Sequence, residues 1–289
     1  MVQRPLAVLV QRLVPALLIA AAFLPADACA EKTPGRGQAE RACPWVVRES
    51  REATASETAF QDPNPLLRHP ENTSYVPGPK GVTAVVETDH EHFRRLFLED
   101  SASPEAKELL FGASLPRWSP DAKWIACAVW KSPEKTDVLS IIDVATGRVF
   151  EPELDCRAGE YAWSPDGRSI AVIGDDSHGV ALCVVQVPSG KSRLLTRLPI
   201  RSEYTNLSWS PDSRMIATTV TKELDHLAES TDLYAVDVDG GSCRLTETAT
   251  VDESEPRWLD DGHLLYETQI AGNGAGWQVI TLERRHLAE

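Results

Sequence analysis

The sequence predicts an all-β fold, a β-propeller of four-stranded antiparallel blades, four or five in number. Three observations predict it. The phrase Trp-Ser-Pro-Asp recurs at Trp118–Asp121, Trp163–Asp166 and Trp209–Asp212, with a worn copy, Trp-Leu-Asp-Asp, at Trp258–Asp261. The tryptophans stand 45, 46 and 49 residues apart, so one supersecondary unit is used several times. Short β-rich runs separated by turn residues follow each phrase, and none of these units shows a long stretch of helical period.

The unit can be read element by element. A short strand ends at each tryptophan. Ser164-Pro165-Asp166-Gly167 then has the order of a type I turn: Ser accepts, Pro presets φ, Asp suits the third place and Gly the fourth. Ser119–Ala122 and Ser210–Ser213 keep the first three residues of that order. A second strand follows at Trp124–Ala126, Ser169–Val172, Met215–Ala217 and Leu264–Tyr266. A third is read at Val138–Val144, Ala181–Val187, Leu233–Val238 and Gln278–Leu282. Tight turns at 145–148, 188–191 and 239–242 lead to an outer strand, as in Arg148–Phe150 and Arg193–Leu195. Each tryptophan is expected to pack between neighbouring blades, because large aromatics dominate cores.

A fifth copy is read upstream, near residue 75. Tyr75–Val85 sets beside Trp118–Val129 at an offset of 43 residues, with Arg94–Leu98 as a further strand. Ser103, Pro104 and Gly112 suggest a short inserted helix over 101–112, with a cap, an opening proline and a terminating glycine. The last unit lacks an outer strand after Leu282. An open edge invites pairing, and Trp45–Arg48 is the expected donor from the N-terminal region. The domain reading is therefore a leader at 1–30, a linker or arm at 31–72 carrying that strand, and a propeller at 73–289.

The first 30 residues differ in kind from the rest. Arg4 and Arg12 precede an apolar run from Leu13 to Leu24, and Ala28-Cys29-Ala30 supplies small residues for cleavage. This pattern predicts a secretory signal peptide and a periplasmic or secreted protein. A rival reading lipidates Cys29 as a membrane anchor, but Ala26-Asp27-Ala28 departs from the Leu-rich box expected there. No later stretch approaches membrane-spanning length. A net charge of −14 argues against nucleic acid as a partner. Cys127, Cys183 and Cys243 fall in or beside strand-like runs and read as buried thiols; a disulfide, if formed, would involve Cys156.

The Trp-Ser-Pro-Asp-Gly turn followed by Ile-Ala resembles the WD40-like (PD40) repeat of the TolB family. The resemblance covers about 115–289, or 75–289 with the worn copy. It implies a propeller that binds protein partners in the cell envelope. TolB also carries an α/β domain in front, and the roughly forty residues before the first repeat here are too few for one. PD40-type propellers also gate prolyl oligopeptidase-like peptidases, whose nucleophile lies in G-x-S-x-G. Gly112-Ala113-Ser114-Leu115-Pro116 fails that pattern at its last position, and Walker-type and H-E-x-x-H motifs do not occur.

Asp89-His90-Glu91-His92 is the one run of metal-ligand residue types, and a polar loop explains it. His178, His226, His263 and His286 fall mostly in predicted loops. Asp175-Asp176 and Asp237–Gly240 lie where hairpin turns expect Asp, not in an EF-hand pattern. No catalytic or metal residue, no cofactor and no particular binding residue is assigned. The expected function is a non-catalytic exported scaffold that binds a protein or another envelope component. The alternative is an enzyme acting on a glycan or peptide through the central channel. Function is expected where the copies differ, at 131–137, 174–180, 221–231 and 270–276.

Overall fold

The computed structural model describes residues 45–59, 67–69, 73–78, 81–89, 93–132, 138–154, 156–176, 178–198, 207–224, 228–248, 251–270 and 274–284. The leader with Cys29 lies outside them, as do Cys43, His90 to His92, His226 and His286.

The described chain opens with β1 (Trp45–Glu52), the one-turn helix α1 (Ala55–Thr58) and β2 (Leu67–His69). Blade 1 follows as β3 (Thr73–Pro77), β4 (Val82–Thr88), β5 (Arg94–Asp100) and β6 (Ser103–Phe111). Blade 2 is β7 (Ala113–Trp118), β8 (Trp124–Val129), β9 (Val138–Asp143) and β10 (Val149–Phe150). Blade 3 is β11 (Glu160–Trp163), β12 (Ser169–Asp176), β13 (Gly179–Gln186) and β14 (Ser192–Leu198). Blade 4 is β15 (Ser208–Trp209), β16 (Met215–Leu224), β17 (Ala228–Asp237) and β18 (Ser242–Arg244). Blade 5 is β19 (Val251–Asp260), β20 (His263–Ile270) and β21 (Gly274–Arg284), completed by β1. All pairings are antiparallel, and β2 adds a fifth strand to the inner edge of β3 in blade 1.

The expected donor strand is present. β1 pairs with β21 from Trp45↔Arg284 to Glu52↔Gln278, so the N-terminal strand covers the edge left by the last repeat. Trp45 and Val47 pack against the same buried cluster as Trp258 and Leu282.

The repeated turn works by side-chain capture of backbone groups. The buried Ser164 hydroxyl accepts the Ser169 amide at 3.0 Å and bonds Asp166 Oδ1 at 2.6 Å. Asp166 Oδ1 also accepts the Arg168 amide at 3.0 Å. Ser119 with Asp121, and Ser210 with Asp212, repeat this arrangement. The fourth turn residue has positive φ in all three copies: 59° at Ala122, 69° at Gly167 and 60° at Ser213. Only Gly167 adopts it without a Cβ penalty.

Each tryptophan joins two blades. The Trp118, Trp163, Trp209 and Trp258 indoles donate to the carbonyls of Val76, Arg117, Ala162 and Ser208, at 3.0–3.2 Å. Those acceptors lie on the inner strand of the preceding blade. Each indole also sits in its own buried cluster at that seam. The ring therefore repeats one joint four times.

The structure corrects four expectations. Residues 103–111 are a strand, not a helix: β6 pairs with β5 from Asp100↔Ser103 to Arg95↔Phe111. The outer edge of β5 needs a partner, and that tertiary demand outweighs the local capping signals. In blade 1 the position of the repeat tryptophan is held by Pro77, not Tyr75. Gly78 N donates to Val82 O just as Ser119 N donates to Trp124 O. Gly78 is also obligatory, since a Cβ there would lie 2.5 Å from Trp118 Cε2. The supposed loops at 174–180, 221–231 and 270–276 are mostly strand, because β12–β13, β16–β17 and β20–β21 keep pairing almost to their tips. Finally, Cys243 is disulfide-bonded, while Cys127, Cys156 and Cys183 remain thiols. Burial pushes the Cys127 thiol up to about 12, which keeps it inert.

Candidate functional site

A four-stranded blade places its first and third connections at one end of the ring and its second and blade-to-blade connections at the other. The first end carries the Ser-Pro-Asp turns. These touch one another: Asp166 N donates to Ser213 Oγ at 3.2 Å, and Asp212 N to Asp261 Oδ1 at 2.9 Å. Their polar groups are largely consumed by the fold, so this end is built for rigidity.

The hairpin end differs at blades 1 and 2. Phe93 precedes β5, Phe111 ends β6 and Trp130 follows β8. Backbone bonds from Gly112 N to Arg94 O and from Trp130 N to Gly112 O bring these three positions together. The Phe93 and Phe111 rings stand 5.5 Å apart. Phe93, Phe111, Leu115 and Trp130 are 38–47% exposed, and they are four of the five exposed large hydrophobics among the described residues. Phe93, Phe111 and Trp130 are grouped, whereas an apolar residue exposed singly needs no explanation.

Leu115 is exposed apart from these three, on the inner strand β7, in a strained backbone conformation. Its φ is +52°, in a bulge where the β7–β8 register shifts. The Tyr161 hydroxyl holds the strained carbonyl. Glu255 repeats the conformation, also at +52° and in a bulge of β19. Both residues stand three before a blade tryptophan and begin x-Pro-Arg-Trp, at Leu115–Trp118 and Glu255–Trp258. Bulges re-aim side chains near functional sites. Glu255 pairs with Arg257 at 3.0 Å, and the Arg257 guanidinium lies 5.4 Å from the centre of the Trp277 ring. The repeated Pro-Arg-Trp was the available signal for these matched bulges.

Two carboxyls have strongly displaced ionisation. Burial pushes Glu253 up to about 8, although Thr248 and Thr246 donate to it at 3.0 Å each. Burial pushes Asp232 up to about 7, while the Thr248 amide at 3.1 Å and the Arg244 guanidinium at 3.0 Å favour its charged form. Thr248 thus bridges the two acids. Both are essentially inaccessible and lie at the seam of blades 4 and 5, so they hold structure and do not face a substrate.

The other singled-out residues have local duties. Asp89 Oδ1 accepts the Phe93 amide at 2.9 Å, and the remainder of that run lies outside the described residues. Burial alone would raise the Asp176 carboxyl, but the Arg197 guanidinium and the His178 amide hold it below its ordinary value. Asp237 Oδ1 accepts the Asp239 amide at 2.7 Å in a turn. His263 pairs with Asp260 at 2.8 Å. Among the described residues, no group of three or more His, Cys, Asp or Glu is placed to hold a metal ion. None of the described helices is long and apolar enough to cross a membrane.

The architecture can be set beside known proteins. No protein-family profile matches the chain. Among solved structures, it is similar to TolB from Acinetobacter baumannii at 18% identity and a TM-score of 0.49, over 74% of this chain and 53% of that one. It is similar to the tricorn protease at 17% identity and a TM-score of 0.54, over 70% of this chain and 20% of that one. The β-propeller domain of the Trilobed protease from Pyrococcus furiosus matches at 14% identity and 0.53, over 72% of this chain and 65% of that one. The chain thus spans about half of the TolB structure and a fifth of the tricorn protease. At these identities the likeness establishes the fold, a β-propeller, and sites must be argued from residues.

Proposed function

We propose that the chain is an exported, non-catalytic propeller scaffold that binds a protein or another cell-envelope component through its hairpin end. One observation carries the reading: the grouped exposure of Phe93, Phe111 and Trp130 where connections of blades 1 and 2 meet. Aromatic residues are enriched in the energetically dominant parts of protein interfaces. Export is supported by the leader pattern at 1–30 and by the disulfide at Cys243, since disulfides persist in oxidising compartments. The reading divides the chain into leader, arm (31–72) and propeller (73–289), with a Cys29 lipid anchor as the lesser alternative. The TolB likeness is compatible with a protein partner.

The test is affinity capture from cell-envelope extract followed by mass spectrometry, run beside a Phe111→Ser/Trp130→Ser double variant. A partner retained by the natural chain and lost by the variant supports the proposal. Reproducible recovery of no partner, together with turnover of a glycan or peptide library, overturns it. That second outcome is the one the channel-enzyme alternative expects, and proteases among the structural neighbours keep it worth the assay.

A further inference from the structure

A cleft of about 840 Å³ opens on the outer rim between blades 2 and 3, at the turn end and away from the aromatic surface described above. Trp124 and Phe150 line it together, with ring centroids 5.8 Å apart in an edge-to-face arrangement. The repeat does not explain these rings. The place of Trp124, five residues after the turn serine, is held by Ser169 in blade 3 and Met215 in blade 4. The place of Phe150, three residues after the glycine of the outer turn, is held by Arg193 in blade 3. Blade 2 alone pairs an aromatic with an aromatic here.

The cleft exists because the outer strand of blade 2 is short. β10 has 2 residues where β14 has 7, so the chain leaves the sheet at Glu151 and runs along the rim. The Ser192 hydroxyl donates to the Glu153 carbonyl and ties this run to blade 3. Charged groups then border the rings. Asp143, Glu151 and Glu153 face the same space as Arg148 and Lys191. Glu151 is engaged by Lys131 from the adjoining segment. Among the described residues, the Arg148, Lys191 and Glu153 side chains hold no ion pair or hydrogen bond.

We propose that this cleft binds a neutral oligosaccharide. Its charges nearly cancel once Lys131 is counted, so neither an anionic nor a cationic ligand gains from the local field. A polyol gains from both signs, because carboxylates accept from its hydroxyls and guanidinium or ammonium groups donate to them. The aromatic floor matches the apolar face of a sugar ring, and the volume lies within the range of small-molecule sites. A deep apolar ligand is excluded by the charged border, which such a ligand would leave desolvated and unpaired.

The test uses the full mature chain and four probes: cellohexaose, mannohexaose, chitohexaose and hexagalacturonate as the charged control. Binding is measured by isothermal titration calorimetry, with chemical-shift mapping to place the ligand. The expected result is binding of at least one neutral hexasaccharide and a weaker response to hexagalacturonate. Affinity should fall tenfold or more in Arg148→Ala/Glu153→Ala, with an unchanged melting temperature. Phe150→Leu, which preserves apolar volume and removes the ring, should weaken binding likewise. Binding by none of the three neutral probes overturns the proposal. So does a preference for the charged probe, shifts mapping away from blades 2 and 3, or affinities that the variants leave unchanged.

Discussion

Blade 1 and blade 3 are built from the same plan but hold their place in the ring by different means. Blade 3 has the full phrase. Its turn serine, aspartate and glycine are all in place, and its indole grips the carbonyl of Arg117. Blade 1 has Pro77 where the indole belongs and Gly78 where the serine belongs, yet its strands pair as completely. Blade 1 accepts an indole from Trp118 but has none to give. Toward blade 5 it has no indole latch; β1 of blade 5 and β2 of blade 1 instead follow one another in sequence, with α1 between them. The phrase is therefore a joint between blades, and blades 5 and 1 are tied instead by one stretch of chain that gives β1 to the first and β2 to the second.

The largest effect should come from the closing strand. Removing residues 31–50 strips most of β1 from β21 and exposes Trp258 and Leu282 in their cluster. The melting temperature should fall by about 10 °C or more, since each kcal/mol lost moves a domain of this size by about 2–4 °C. An unchanged transition in calorimetry would mean that β1 does not close the ring.

A smaller loss is expected at a latched seam. Trp163→Phe keeps most of the packing but strands the Arg117 carbonyl, at a cost of about 1–3 kcal/mol in urea unfolding. Pro77 has no indole to lose, so Pro77→Ala should cost clearly less. Equal losses would show that the indole bond contributes little.

The seam of blades 4 and 5 should respond to pH. Glu253 is raised to about 8 in the folded chain from an ordinary value near 4.5. The folded state then holds a proton that the unfolded state has released, so stability falls as pH rises across that interval. The slope for one such proton is about 1.4 kcal/mol per pH unit. Asp232, Asp252, Thr246, Thr248 and Arg244 surround or adjoin the group and would share in the response. Glu253→Gln keeps a neutral side chain of the same shape, and it should flatten the profile between pH 5 and 8. A slope identical to that of the natural chain would assign the effect elsewhere.

The smallest effects should have opposite signs at equivalent positions. Ala122→Gly relieves a positive φ and should gain up to about 1 kcal/mol, while Gly167→Ala should lose a similar amount or more. Chemical denaturation of the pair would show whether the turn position sets the sign.

Much of this structure is legible in the sequence. The three intact phrases gave the blades, their turns and the role of each tryptophan, because a local turn and a fixed spacing write themselves into the chain. The donor strand was legible as well, since one short apolar run stood in an otherwise polar arm. The misreadings came where local signals competed with tertiary demand. Ser103-Pro104 and Gly112 form a credible helix frame, but β5 required an edge partner. Tyr75 stands two residues before the place of the repeat tryptophan, which the hydrogen bond from Gly78 to Val82 marks and aromatic identity does not.

The candidate surfaces were less legible, and for a physical reason. Phe93, Phe111 and Trp130 are each unremarkable in sequence, and only the meeting of three connections makes them one patch. Trp124 and Phe150 are separated by 26 residues and become neighbours through the pairing of blade 2. The sequence by itself determined the repeat, the strand pattern and the closing strand, since these rest on local periodicity and turn chemistry. Tertiary structure alone decided which side chains stayed exposed together, which acids were buried, and where a cleft opened, because exposure and ionisation depend on what the ring brings alongside.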